Sequence, residues 1–345
     1  MLVRFASLAA VAVVVVSLAC NSGSISAQQA CADLAHATCS ARDSCSGNFL
    51  NARDYGTEAI CEARTGSSCV AGLAVTDTAA TPESREDCAK AFGSGVETCL
   101  DYFEDDPAPA CEAPTGAGAT GDSCAVPAQC ASTYCAVADT EVCGTCQPLP
   151  MAGATCTVTT DCGRDLGCAI ATGATSGVCA AWVATGGACL TGVEPCVPEL
   201  ACMGDDPTSS AHGTCVATVG SVGSACDSSR KDAPPCNGDL GLACIPSGAG
   251  TTIGTCQMVT LAGVGETCGS LGGPPITSIA DCAAGATCVK GSAADRTGTC
   301  VAPAADGAPC DSALGPPCLD PAKCVPSTAG GTAGTCTLPY VAACP

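Results

Sequence analysis

Large side chains are scarce in this sequence. Its 345 residues include nine aromatics, and eight lie beyond residue 20: Phe49, Tyr55, Phe92, Tyr102, Phe103, Tyr134, Trp182 and Tyr340. Such side chains supply most of the transfer free energy of a core, so one large hydrophobic core is excluded. Positive charge is sparse too. Twelve Lys and Arg face 33 Asp and Glu, for a formal charge of −21, which argues against a nucleic-acid footprint. The charge is −10 over 31–112 and −12 over 113–345, a spread that supports solubility more than a focused site. There is no G-x-S-x-G, H-E-x-x-H or P-loop motif. What is abundant is cysteine. Its 35 copies mark a disulfide scaffold, which a reducing cytosol does not support, so an ordinary cytosolic enzyme is excluded.

The first 19 residues read as a signal peptide. Arg4 precedes an apolar stretch from Leu8 to Ala19, too short to span a bilayer as a helix. Ser17-Leu18-Ala19-Cys20 resembles a bacterial lipobox, with Ser17 where that family usually has Leu. Parity favours lipidation of Cys20 over plain secretion, since it leaves 34 cysteines, an even number. Residues 20–30 are polar and predict a flexible tether. Asn21 in place of Asp implies, by resemblance to enteric lipoproteins, the outer membrane or cell surface. The expected partners are the membrane, through that lipid, and an unidentified protein or surface glycan.

Residues 31–112 predict a disulfide-laced helical domain of three or four helices. Its eight cysteines are Cys31, Cys39, Cys45, Cys61, Cys69, Cys88, Cys99 and Cys111. Cys31, Leu34, Ala35, Thr38 and Cys39 share one helix face, and Cys61 and Cys69 repeat the same spacing. Two such helices can be joined like a ladder. Thr57-Glu58 and Thr81-Pro82-Glu83 read as helix starts, and Gly93 and Gly95 as a stop. A small Phe/Tyr cluster is expected in the middle.

Residues 113–123 predict a linker, and 124–345 hold six copies of a unit. Each opens on Gly-x-x-Cys, at Cys124, Cys156, Cys189, Cys226, Cys268 and Cys310, and closes on Gly-Thr/Val-Cys, at Cys146, Cys179, Cys215, Cys256, Cys300 and Cys336. Between them lie Cys130 and Cys135, Cys162 and Cys168, Cys196 and Cys202, Cys236 and Cys244, Cys282 and Cys288, and Cys318 and Cys324. Apolar residues flank the third cysteine, so each unit predicts a two-stranded hairpin with a loose polar tip. The fold class is small disulfide-rich: a helical N-terminal head followed by an extended array of short disulfide-stapled β-hairpin modules. Cys143 and Cys344 do not fit a frame that begins at the leading cysteine. A frame shifted by one cysteine absorbs Cys344 into the last set and leaves Cys143 local to Cys124. It is preferred because linear repeats pair between neighbours. Pairing within each set of four is open among three patterns.

The run Cys124-x5-Cys130-x4-Cys135-x7-Cys143-x2-Cys146-x9-Cys156, with Tyr134 before Cys135, resembles the Dickkopf N-terminal cysteine-rich region. The later units resemble it with the Cys143 position lost. The resemblance implies a compact disulfide module used for protein contact, and no signalling role.

No enzyme is expected, and no cofactor or metal. His36 and His212 read as surface histidines. Cys143-Gly-Thr-Cys146 reads as structural rather than redox or zinc-binding. Glu104-Asp105-Asp106 and Asp205-Asp206 read as solvated faces rather than Ca²⁺ sites. Trp182 is expected to pack on a disulfide. The expected role is a non-enzymatic, lipid-anchored surface protein for adhesion, envelope structure or protein binding. The alternative is a secreted inhibitor of extracellular proteases, against which the Gly/Ser/Thr-rich tips count. An enzyme in the head is the least favoured.

Overall fold

The computed structural model describes residues 24–93, 99, 108–138, 140–163, 166–171, 173–292, 294–340 and 344. Cys20 and the signal segment lie outside the described residues, as do Tyr102, Phe103 and Glu104-Asp105-Asp106.

The head is built from four helices. The first, α1 (Ala27–Ser46), starts where the Ser26 side chain accepts a hydrogen bond from the Gln29 amide and ends at Gly47 in the left-handed region. It begins inside the expected tether, and Ala30 is fully buried, so the tether ends before Ala27. A short α2 (Phe49–Asp54) leads to α3 (Glu58–Leu73), capped by Thr57 as the sequence predicted. α4 (Pro82–Gly93) starts at the expected Thr81, whose hydroxyl accepts from the Ser84 amide. Cys31–Cys69 and Cys39–Cys61 form the two rungs joining α1 to α3. Cys45–Cys99 and Cys88–Cys111 complete the four bonds. The rungs sit between small residues: Ala30, Cys31, Ala35, Cys39 and Cys61 are all nearly inaccessible. Among the described residues, two members of the expected aromatic cluster are not at the centre of the head. Phe49 and Tyr55 are buried where the head meets the repeats, and the alanine–cysteine seam leaves no room for rings between α1 and α3.

Five of the six repeats are small sheets of three strands rather than two-stranded hairpins, and in the fifth unit Thr260–Ala262 and Ser278–Cys282 widen the sheet to five strands. In the fourth unit Ala225–Asp227 and Leu242–Pro246 both pair antiparallel with Ile253–Met258 between them. Disulfides join the leading cysteine to the third, and the second to the trailing one, in all six units. Units therefore begin at the leading cysteine. Cys143 bonds Cys344, 201 residues away, so the shifted frame is wrong. The preference for neighbours failed because the two ends of the array are themselves neighbours in space.

The two glycines of the repeat have different physical reasons. The leading glycine is the third residue of a tight turn, closed in unit four by the Ser224 amide donating to the Ser221 carbonyl. Gly121, Gly153, Gly186, Gly223, Gly265 and Gly307 all have φ between 78° and 96°, which disfavours any side chain. The trailing glycine answers a space problem. In a flat sheet, strands one neighbour apart are separated by roughly 9.6 Å. Here the outer strands are bonded through Cys226 and Cys244 with Cα atoms 5.8 Å apart, so the sheet is tightly coiled over its middle strand. A Cβ on Gly254 would lie 1.9 Å from the Ile245 carbonyl oxygen. The same carbonyl, one residue past the third cysteine, crowds Gly144, Gly177, Gly213, Gly298 and Gly334 at 2.0–2.4 Å.

The inlet to each unit is also tied down. Residues 113–123 are not a free linker, since the Gly116 amide donates to the Cys130 carbonyl and Gly118 forms a parallel bridge with Cys130. Val183 with Cys196, Val219 with Cys236 and Ala304 with Cys318 repeat that bridge.

The array is not drawn out from the head but returns to it. The Tyr55 hydroxyl donates to Asp320 at 2.6 Å. Arg64 forms a fork on Asp306 at 2.5 and 3.0 Å and also donates to the Leu319 and Asp320 carbonyls. The amides of Ala284 and Gly285 donate to the carbonyls of Ala52 and Arg53, and Phe49 lies against Gly241. At the other end the Ala79 amide donates to Ala128 and the Gln129 side chain to the Thr76 carbonyl. Units one, four, five and six thus meet the head. Cys143–Cys344 then joins the first unit to the segment after the last, a closed loop of six units.

Candidate functional site

The residues singled out by sequence for chemistry are dispersed. His36 stands on α1 with its side chain 70% exposed and Nδ1 2.6 Å from Glu62 on α3, and that hydrogen bond raises its pKa. His212 pairs with Glu194 at 3.0 Å on the third unit. Among the described residues neither ring is hydrogen-bonded to a nucleophile, and each makes a surface His–Glu contact of the kind worth little. In Cys143-Gly-Thr-Cys146 the two sulfurs go to different partners, Cys344 and Cys130, so the motif has no dithiol chemistry. Triplets such as Cys226, Cys236 and Cys244 bring three sulfurs within 4.8 Å, the spacing of a metal set. Each of these sulfurs is already in a disulfide and offers no thiolate ligand. Trp182 does not need a disulfide to lie on: its ring covers Gly167 of the strand carrying Cys168, where a Cβ would meet it at 2.4 Å.

Asp205 and Asp206 are turn-formers. Asp205 accepts from the Thr191 amide, and Asp206 from the Thr208 amide and the Thr208 and Ser209 hydroxyls. These donors hold the Asp206 carboxyl down at about 2. Asp161 and Asp311 are lowered by the same kind of turn hydrogen bonds. A carboxyl whose folded pKa lies below its unfolded value stabilises fully above about pH 4 and loses that contribution as pH falls towards the folded value. The expected result is faster amide exchange at Thr208, Ser209, Ala313 and Leu314 between pH 4 and pH 2, beyond the intrinsic rate, with the disulfide map unchanged. Amide protection flat across that window would contradict it.

Two features remain as candidates for binding. The first is the set of leading turns. Their second positions are Thr120, Ala152, Thr185, Val222, Val264 and Asp306, each just before the turn glycine. Val222 is 63% and Val264 59% exposed, while Asp306 is gripped by Arg64. The second is a cavity of about 400 Å³ between the head and units one and six, walled by Leu34, Arg85, Val126, Asp320 and Tyr340 among others. Sequence reasoning had no access to it, because its walls come from positions up to 306 residues apart, Leu34 and Tyr340. The leading turns recur with the Gly-x-x-Cys motif, a signal that could have marked them, but sequence reasoning looked to the hairpin tips instead.

No protein-family model, no curated protein and no solved structure matches this chain. Among the described residues, no helix is long and apolar enough to cross a membrane. Seventeen disulfides form and persist in an oxidising compartment, which makes an extracytoplasmic address the one their chemistry requires.

Proposed function

We propose that this chain is a non-enzymatic surface protein that binds other proteins through the leading turns of its repeats and is held to the membrane by lipid on Cys20. The carrying observation is the one leading turn already engaged. The backbone of this turn is common to six units while its second residue varies, and in unit six that residue, Asp306, receives a two-pronged contact from Arg64. A turn whose second residue is held by a cation inside the molecule is shaped to meet another protein surface outside it. Stapling the turn between two disulfides lowers the ordering cost of binding. A protein-binding module of this kind agrees with the resemblance to Dickkopf-type cysteine-rich regions.

The anchor rests on parity. Thirty-four cysteines pair, and Cys20 is the one left of 35. The Cys20→Ser chain is expected to lose palmitate label and move from the membrane to the soluble fraction. A wild-type chain without label would remove the anchor from this reading. For binding, a photo-cross-linking side chain at Val222 or Val264 on intact cells is expected to give discrete protein adducts. The same probe at Ser209, on a different turn, serves as the control. Equal labelling at all three positions would count against the leading turns.

A further inference from the structure

The cavity between the head and the two ends of the array contains a guanidinium without a partner among the described residues. Arg85 stands on α4, half-buried, and no hydrogen bond or ion pair is formed by its side chain among the described residues. The other buried or half-buried arginines of the head are all matched. Arg42 and Arg53 both reach Asp54, and Arg64 takes Asp306. Burial depresses the Arg85 pKa, the sign of a cation out of water without a counter-charge, yet a guanidinium keeps its proton at neutral pH. Leaving a charge half-buried and unpaired is costly, and in a chain of net charge −21 it is conspicuous that, among the described residues, no carboxylate pairs with it.

The rest of the wall narrows what would fill it. Tyr340 faces the same space, largely buried, with its ring 3.6 Å from where a Cβ on Gly72 would stand. Its backbone has φ 71°, a conformation that costs an aromatic residue energy and needs its surroundings to hold it. The phenol makes no hydrogen bond among the described residues, which gives a second free donor. Leu34, Val126 and Pro127 supply an apolar side. Asp320 also borders the cavity, with its carboxylate already accepting from Tyr55. That negative charge, with the acidic bias of the whole chain, disfavours a dianion such as phosphate. The volume of about 400 Å³ lies in the range of small-ligand sites.

The geometry points to a binding site for a small monocarboxylate with an apolar tail, its carboxylate on Arg85 and Tyr340 and its tail against Leu34, Val126 and Pro127. No covalent step is involved. The site is independent of the anchor and of the leading turns, since none of its walls belongs to either. It would also tie ligand binding to closure of the array, because α1, α3, α4, unit one and unit six all line it.

Titration calorimetry on the intact, fully oxidised chain tests this with hexanoate, hexyl phosphate and hexanol as probes. Hexanoate is expected to bind, with hexanol and hexyl phosphate each weaker. Arg85→Gln is expected to lose about tenfold or more in hexanoate affinity, as for a charge-assisted hydrogen bond, and Arg85→Lys to keep part of it. Tyr340→Phe is expected to lose a smaller factor. Hexanol binding as well as hexanoate, an Arg85→Gln chain that titrates like wild type, or no binding by any probe would each overturn the site. Hexyl phosphate ahead of hexanoate would overturn the choice of a monoanion. If a variant misfolds, as judged by its disulfide map, a bromine-tagged fatty acid soaked into wild-type crystals decides. Anomalous density is then expected in the cavity, and density elsewhere or none refutes the assignment.

Discussion

Gly254→Ala is expected to prevent the fourth unit from closing. The new methyl would stand 1.9 Å from the Ile245 carbonyl oxygen, and the obstacle is backbone, so no side chain can turn aside. Relief requires the strand Leu242–Pro246 to lift off its neighbour, yet Cys226–Cys244 holds that strand across the sheet. A clash that must be absorbed by backbone exceeds ordinary overpacking, so the local cost is about 3 kcal/mol or more. Because units in an array are stabilised mainly by themselves and their neighbours, the damage should stay near unit four. Hydrogen exchange is the measure: the amides of residues 253–258 should lose protection while those of unit two do not. Non-reducing peptide mapping should also show scrambled Cys226, Cys236, Cys244 and Cys256. Gly248→Ala, with nothing nearer than the Thr251 methyl at 3.8 Å, is the control and should change stability by less than about 0.5 kcal/mol. A Gly254→Ala chain with a native map and native exchange would show that the coil of the sheet is not what demands glycine.

Opening the loop at Cys143–Cys344 should have the next largest effect. The bond closes a separation of 201 residues. In the chain-entropy account a loop of that length contributes about 5 kcal/mol. The bonds within units shorten the unfolded path, but the dependence is logarithmic, so halving the loop removes only about 0.6 kcal/mol. The Cys143→Ser, Cys344→Ser chain keeps every other bond, and at room temperature Tyr55–Asp320 and the Arg64–Asp306 fork still hold unit six on the head. The expected result is therefore a native shape at room temperature with a new, lower-temperature transition on heating. In that transition unit six leaves unit one, which scattering reads as a larger radius before the helices melt. Adding Arg64→Ala should bring the transition lower still. A melting curve and radius identical to wild type would mean that the loop is closed by packing alone and that the bond adds nothing.

Much of the head and of each unit is legible from residues close together in the chain. Thr57 and Thr81 cap helices because a hydroxyl three residues before an amide meets it in any such sequence. Cys31 and Cys39 face Cys61 and Cys69 because eight residues bring a helix back to the same face. None of the three patterns open within the shifted sets of four occurs, because the leading cysteine pairs with the third of its own unit across a third strand that the periodicity did not reveal. A two- or three-residue strand such as Ala225–Asp227 is too short to show alternation. Phe49 and Tyr55 were misplaced for a related reason: burial says a ring needs cover, and only the tertiary arrangement says whether α1 or the repeats provide it.

The abundance of cysteine beside the lack of large side chains determined by itself that this chain is a stapled, extracytoplasmic protein. It also determined six units with a glycine at each end, since those features depend on backbone conformation and crowding within about thirty residues. Only the tertiary structure decided that the array turns back on the head and that Cys143 finds Cys344. It also decided that Arg85 is left facing a cavity. Each of these is a single meeting of residues far apart in the chain, without a period to announce it, and so is visible only once the units are placed in space.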